Sequence, residues 1–191
     1  QFLIQDSASA EEMLKRDIVN AISDKLEATI LGSAAGSATM PAGIFNGVTP
    51  ETKDITYKRL VDMETALEEA NVAGNKCFIV SPSAKGILKT TAKDALYNVT
   101  DGGVHTCVGC AGCLMEENEV NGYPVYCTSN VTSKGVVMGH FEDFVIGQWG
   151  GIDLTVDPYT QAANGKVRLV INAYFDAKPR RTGSFQKAIL K

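Results

Sequence analysis

The sequence predicts an α+β chain in which a long helix packs on a long-stranded sheet beside a mixed α/β domain. Three observations predict it. The opening segment keeps apolar residues at helical spacing for some 22 positions. A short, wholly apolar strand sits between two further helical segments. From Gly122 onward the apolar period drops from 3.6 to 2, closing in one long alternating run.

The first helix is expected over Ser9–Leu31. Ser9 stands three residues before Glu12, the capping-box spacing in which both side chains satisfy N–H groups that the first turn leaves unpaired. Glu11 with Lys15, and Glu12 with Arg16, add i, i+4 pairs. Leu14, Ile18, Ile22, Leu26 and Ile30 recur every four residues, widened by Val19 and Ala21. That stripe rotates slowly, so the helix must lie across several partners. Gly32 ends it. The rod is roughly 33 Å long. We expect its stripe beneath the long strand, so that Ile22→Asp abolishes soluble expression.

A stretch rich in small residues follows, read as a loop pinned by Met40, Ile44 and Phe45. The second helix is expected from about Thr56 to Ala73, burying Tyr57, Leu60, Val61, Leu67 and Ala70 and stopped by Gly74-Asn75. Lys76–Val80 is a buried strand. Ser81-Pro82 supplies an N-cap and a first-turn proline for a third helix, carrying Ile87 and Leu88 and ending before Tyr97.

Short strands are expected at Tyr123–Thr128, Gly135–Gly139, Phe144–Ile146 and Ile152–Val156. In Lys166–Lys178, Val167, Leu169, Ile171, Ala173 and Phe175 alternate with Arg168, Asn172, Asp176 and Lys178. Extended, that run reaches roughly 40 Å. One long rod and one long ribbon of similar reach suggest an elongated slab. The sequence has no internal repeat and no heptad seam.

Bulk properties exclude several classes. Of the 191 residues, 45% are hydrophobic and 21% charged, the balance of a packed soluble protein. A net charge of −4 leaves no broad basic field, so contact with DNA is at most weak and non-specific. No apolar run is long enough for a bilayer, and no signal peptide is evident, so no membrane is expected. The chain begins at Gln1 rather than Met, as a fragment or a processed product does. Five cysteines without a secretory signal point to a reducing compartment.

The sharpest chemical pattern is His105, Cys107, Cys110 and Cys113, two overlapping C-x-x-C spacings of the kind that bind zinc or iron–sulfur clusters. A structural zinc site needs four ligands, His105 is too near Cys107 to share an ion, and the fourth thiolate would have to be Cys127. A glycine-rich loop with incidental thiols is the plainer reading. His105 and His140 have no triad context, and no G-x-S-x-G elbow, H-E-x-x-H pair or Walker loop occurs. Gly147, Gly150 and Gly151 read as turn glycines at a strand junction. Glu142-Asp143 and Glu116-Glu117 read as solvated turns. Trp149 is expected to be buried, as a core or interface anchor. Lys178-Pro179-Arg180-Arg181 reads as a solvated strand end or a salt-bridging contact with a neighbouring subunit. We assign no catalytic, cofactor-binding or metal-binding residue, and expect no cofactor and no enzyme.

The order of these elements resembles the major capsid proteins of tailed bacteriophages, the Hong Kong 97-type fold. QDSASAEEMLKRDIVNAISDKLEATILGSAAGSATMPAGIFNG resembles that family's spine helix and the Pro-x-Gly-Ile loop after it. NGYPVYCTSNV resembles its G-x-P-V strand, and GHFEDFVIGQWGGIDLTVDPYTQAANGKVRLVINAYFDAKPRRTGSFQKAIL its closing run. The resemblance implies a peripheral domain (1–54 and 157–182) and an axial domain (55–156 and 183–191). It implies a structural homo-oligomer: a head subunit of a phage or prophage that self-assembles into an icosahedral virion capsid in the bacterial host cytoplasm. Portal, scaffold and maturation protease are implied as further partners. Family members carry an N-terminal arm and an extended loop before the spine helix, where about eight residues stand here, so a core without those clasps is expected. Two other readings share some of these features: a metal- or thiol-dependent redox enzyme built on Cys107, Cys110 and Cys113, and an encapsulin-type nanocompartment shell.

Overall fold

The computed structural model describes the chain apart from residues 1–8, 94–99, 102–103, 106–111, 158 and 166–167. The described residues divide into two units. One takes Ile146–Ala177 together with the chain up to Glu27; the other takes Ala28–Val145 and Lys178–Lys191.

The second unit holds the core. Its sheet has five strands in the order β4-β5-β1-β6-β9, namely β4 (Glu119–Val120), β5 (Tyr123–Cys127), β1 (Cys77–Val80), β6 (Gly135–Gly139) and β9 (Phe185–Ile189). β1 runs parallel to β5 and antiparallel to β6, and the other two pairings are antiparallel. The register stacks Val125, Phe78 and Met138 in one row and Val80, Val136 and Ala188 in the next. Each such row turns the same face inward, because side chains alternate along every strand. Helix α2 (Tyr57–Glu69) covers that face with Leu60, Met63 and Leu67, and α3 (Pro82–Thr90) with Ala84 and Leu88. Full burial of an aliphatic or phenyl side chain stabilises by about 1.5–3 kcal/mol, so this cluster dominates the unit's stability.

The caps follow from the sequence. Ser81 Oγ accepts from Ala84 N at 3.2 Å, with Pro82 in the first turn. Thr56 Oγ1 accepts from Arg59 N. Helix α2 departs from expectation at its other end. It closes at Ala70, followed by Asn71 at φ 52, three residues before the Gly74-Asn75 stop read from the sequence. Asn tolerates the left-handed region well enough to end a helix. The early stop leaves Ala70 exposed, and Tyr57 is exposed too; Met63 takes the buried place between Leu60 and Leu67.

Helix α1 (Ser9–Ile30) has the expected length. Its capping-box and i, i+4 side chains at positions 9, 11, 12 and 15 lie outside the described residues. Its last carbonyls are satisfied by distant main chain rather than by glycine alone: Ile44 N donates to Ile30 O at 2.7 Å, Phe45 N to Gly32 O at 3.0 Å, and Thr132 N to Leu31 O at 3.2 Å. Ile44 and Phe45 are buried and pin the loop as expected, whereas Met40 stands exposed.

In the first unit, β7 (Phe144–Asp157) and β8 (Arg168–Pro179) pair as a two-stranded sheet. Two short strands were expected where β7 runs unbroken, because Gly147, Gly150 and Gly151 read as a turn. Pairing with β8 supplies hydrogen bonds that carry the chain straight through them, with Gly150 alone at a positive φ of 75°. Along β8 the alternation holds: Leu169, Ile171, Ala173 and Phe175 are half-buried, while Arg168, Asn172, Tyr174 and Asp176 are exposed. Strands Thr100–Asp101 (β2) and Val104–His105 (β3) form a separate antiparallel pair.

Candidate functional site

Only part of the thiol loop lies among the described residues. Cys107 and Cys110 lie outside the described residues. His105 is described through its main chain, paired with Thr100. Cys113 is half-buried and bridges Ala92, and Cys127 stands exposed on β5 opposite Val80. Among the described residues no group of three His, Cys, Asp or Glu side chains is arranged to hold a metal ion. Burial raises the thiol pKa of Cys77 on β1, which disfavours its reactive thiolate.

His140 is structural. Its Nδ1 donates to Asn75 O at 2.8 Å, and Nε2 sits 3.6 Å from Glu142 Oε2. The neighbouring Asp143 is no solvated turn residue. Its carboxylate accepts from Ser184 Oγ at 2.5 Å and its carbonyl from Arg180 N at 2.7 Å. Phe141 and Phe144 both meet Phe185 edge-on, with ring centroids 5.3 and 5.9 Å apart. This knot fixes the start of β7 and the end of β8. The Lys178-Pro179-Arg180-Arg181 run belongs to it through main chain, its three cationic side chains pointing to solvent. Glu117 is exposed, and Glu116 meets Lys93 Nζ at 3.3 Å.

What the molecule does present is an apolar surface. Among the described residues, eight of the twelve large exposed hydrophobic ones lie in the first unit, which holds under a third of the chain. They are Met13, Leu14 and Val19 on α1; Ile146, Trp149 and Ile152 on β7; Tyr159 beyond it; and Tyr174 on β8. Trp149 is a correction to the expected burial: it is 60% exposed. Its neighbours along the strand are Gln148 and Gly150, neither of which offers it an apolar side chain to lie against. The stripe of α1 likewise falls short of the expected burial, half-buried at Ile18, Ile22 and Leu26 and buried only at Ile30.

The turn after β7 is organised by Asp157. Its Oδ1 accepts from Tyr159 N at 2.9 Å and Thr160 N at 3.1 Å, and Oδ2 accepts from Thr160 Oγ1. These bonds, the Thr160 hydroxyl first, lower the carboxyl pKa. Sequence reasoning did not single out Ile146, Ile152, Tyr159 or Tyr174. The available signal was the lack of any charge between Asp143 and Asp153.

The long helix, the long strand pair and the helix-backed five-stranded sheet are the elements of the Hong Kong 97-type capsid fold. The chain belongs to the phage capsid family, whose model matches residues 1–188. It is 27% identical over 190 residues to the major capsid protein of Halomonas phage phiHAP-1, covering 96% of this chain and 29% of that one. The chain thus spans less than a third of the length of this relative. Among solved structures it is similar to the capsid of an empty GTA particle, with a TM-score of 0.66, 17% identity, and coverage of 100% of this chain and 69% of that one. It is also similar to Gordonia phage Cozz, with a TM-score of 0.62, 16% identity, and coverage of 99% and 66%. The family model and the curated relative are those of phage capsid proteins.

Proposed function

We propose that this chain is the major capsid subunit of a tailed phage or prophage, and that copies of it associate laterally into a closed icosahedral shell. One observation carries the reading: in a member of the phage capsid family, the exposed apolar side chains gather on one unit and the buried ones on the other. Apolar surface left in water by a free subunit is surface that association removes from water. The work is mechanical. Many modest contacts, repeated by closed symmetry, hold a shell without an active site.

On this reading the first unit belongs to the peripheral region and the sheet to the axial region. The shell assembles in the host cytoplasm and becomes the virion capsid, with portal, scaffold and maturation protease as further partners. No described helix is long and apolar enough to cross a membrane. The net charge of −4 suits a wall that holds packaged DNA without binding it tightly. The test is to purify the full-length gene product and follow its state by sedimentation and electron microscopy. Capsomers or closed shells are expected. A chain that stays monomeric at every concentration and with its co-expressed neighbours overturns the proposal.

A further inference from the structure

We infer that Asn164 is a site of spontaneous covalent modification: its side-chain amide is lost by ring closure onto the Gly165 nitrogen, leaving aspartate or isoaspartate in the turn between β7 and β8. The inference concerns the free subunit and stands apart from the shell-forming reading.

The sequence holds three Asn-Gly pairs, at 46–47, 121–122 and 164–165. The chemistry favours glycine in second place, because a nitrogen with no Cβ beside it reaches the preceding side chain without steric hindrance. That nitrogen gives up its proton and bonds to the asparagine Cγ. The bond from Cγ to Nδ2 breaks, ammonia leaves, and a five-membered succinimide remains. Water opens the ring at one carbonyl to give aspartate, or at the other to give isoaspartate, whose main chain runs through the side-chain carbon. In balance, an amide and a water become a carboxylate and an ammonium ion, with water as the sole co-reactant.

The fold separates the three pairs. Ring closure needs the side chain and the next peptide to swing, so the ease of local opening sets the order of reaction. Asn121 and Gly122 form the turn of the β4-β5 hairpin, at φ 53° and 78°, closed by the pairing of Val120 with Tyr123. Asn121 Nδ2 donates to Glu64 Oε2 at 3.4 Å, its Oδ1 is buried, and Tyr123 Oη donates to Glu64 Oε1 at 3.0 Å. A carboxylate formed at 121 would lose that donor and stand against Glu64, like charge facing like. At the first pair, Asn46 N donates to Gly43 O at 3.0 Å and Val48 N to Phe45 O at 3.1 Å. Phe45 is wholly buried, so that turn opens only by pulling on the core.

Asn164 has neither restraint. It closes a three-residue 3-10 turn, Ala162–Asn164, an element of poor hydrogen-bond geometry. Ala163, Asn164 and Gly165 are all exposed. Asn164 Nδ2 meets Gln161 Oε1 only at 3.5 Å, the outer limit of a hydrogen bond. A Cβ built on Gly165 meets nothing within 4 Å, so the ring has room to form. The product adds a negative charge to a chain that already carries −4, on the turn joining the two long strands. Isoaspartate also lengthens the main chain there by a carbon.

The test is to hold dissociated full-length protein in warm, mildly alkaline buffer and digest samples over time. Peptide mass spectrometry reads the exchange of amide for acid at each pair, and fragmentation separates aspartate from isoaspartate. Asn164 should convert several-fold faster than Asn46, and Asn121 should be slowest. In urea the three rates should draw together, because the fold is what sets them apart. Native charge separation should show a more acidic form growing with time, and Asn164→Gln, which keeps an amide but makes the ring unfavourably large, should remove it. Equal rates at the three pairs in folded protein, or Asn46 or Asn121 reacting first, would overturn the inference. So would an Asn164 that stays intact while the unfolded chain reacts.

Discussion

The two units of this chain treat the same kinds of residue in opposite ways. In the sheet unit Phe78, Leu60, Met63 and Met138 are wholly buried, and β6 is buried from end to end. In the strand-pair unit Ala177 is the single buried apolar side chain among the described residues, while isoleucine, tryptophan and tyrosine face water. A two-stranded sheet in water is marginal by itself. The difference teaches that one unit carries its own core, while the other leaves apolar surface in water that the proposed association would cover.

That contrast can be broken by experiment. Phe78→Ala empties the middle of the sheet unit and should cost about 3–5 kcal/mol in urea unfolding followed by circular dichroism. A loss of under about 1 kcal/mol would mean that stability does not reside there. Ile22→Asp places a charge in the half-buried stripe of α1. It should cost on the order of 2 kcal/mol if that stripe shields the half-buried face of β8, read from the same titration. A wild-type midpoint would separate the two elements. Ser81→Ala removes one cap and should cost about 1 kcal/mol in the sheet unit. Ile152→Ser should change free-subunit stability by no more than about 0.5 kcal/mol while weakening assembly measured by sedimentation. Its effect on the free subunit is the reverse of any core substitution's, so a large loss of stability there would erase the contrast.

The smallest effect expected is a local one with pH. The folded pKa of Asp157 lies below its unfolded value near 3.9, so its turn is stabilised at neutral pH. That contribution is lost as pH falls through the folded pKa. The amides of Tyr159 and Thr160, followed by NMR, should move together below about pH 4, and Asp157→Asn should abolish that movement.

Much of the fold was legible because local signals and burial agree. The Ser81-Pro82 start, the bounds of Gly135–Gly139, the pins at Ile44 and Phe45, and the alternation along β8 all follow from side-chain chemistry within a few residues. What was not legible depends on distant partners. Nothing local says that glycines 147, 150 and 151 continue a strand, since the pairing with β8 decides it. Nothing local says that Phe185–Ile189 lies beside β6, or that α1 is closed by Thr132. Asn71 ended α2 ahead of a stronger-looking glycine because either residue accepts the left-handed conformation. The candidate surface was missed for a related reason. Apolar residues such as Trp149 are read as core by default, and only the structure shows which of them find nothing to lie against.

The strand β6 carries a consequence for variation. At Gly135 an added methyl would lie 2.7 Å from Thr132 O and 3.0 Å from the ring of Phe45; at Gly139 it would lie 2.5 Å from both Ser184 O and the ring of Phe185. Between them Val136, Val137 and Met138 are enclosed by side chains that can shift. A library randomised across these five positions and selected for folded protein would return glycine at both ends and a free exchange of aliphatics between.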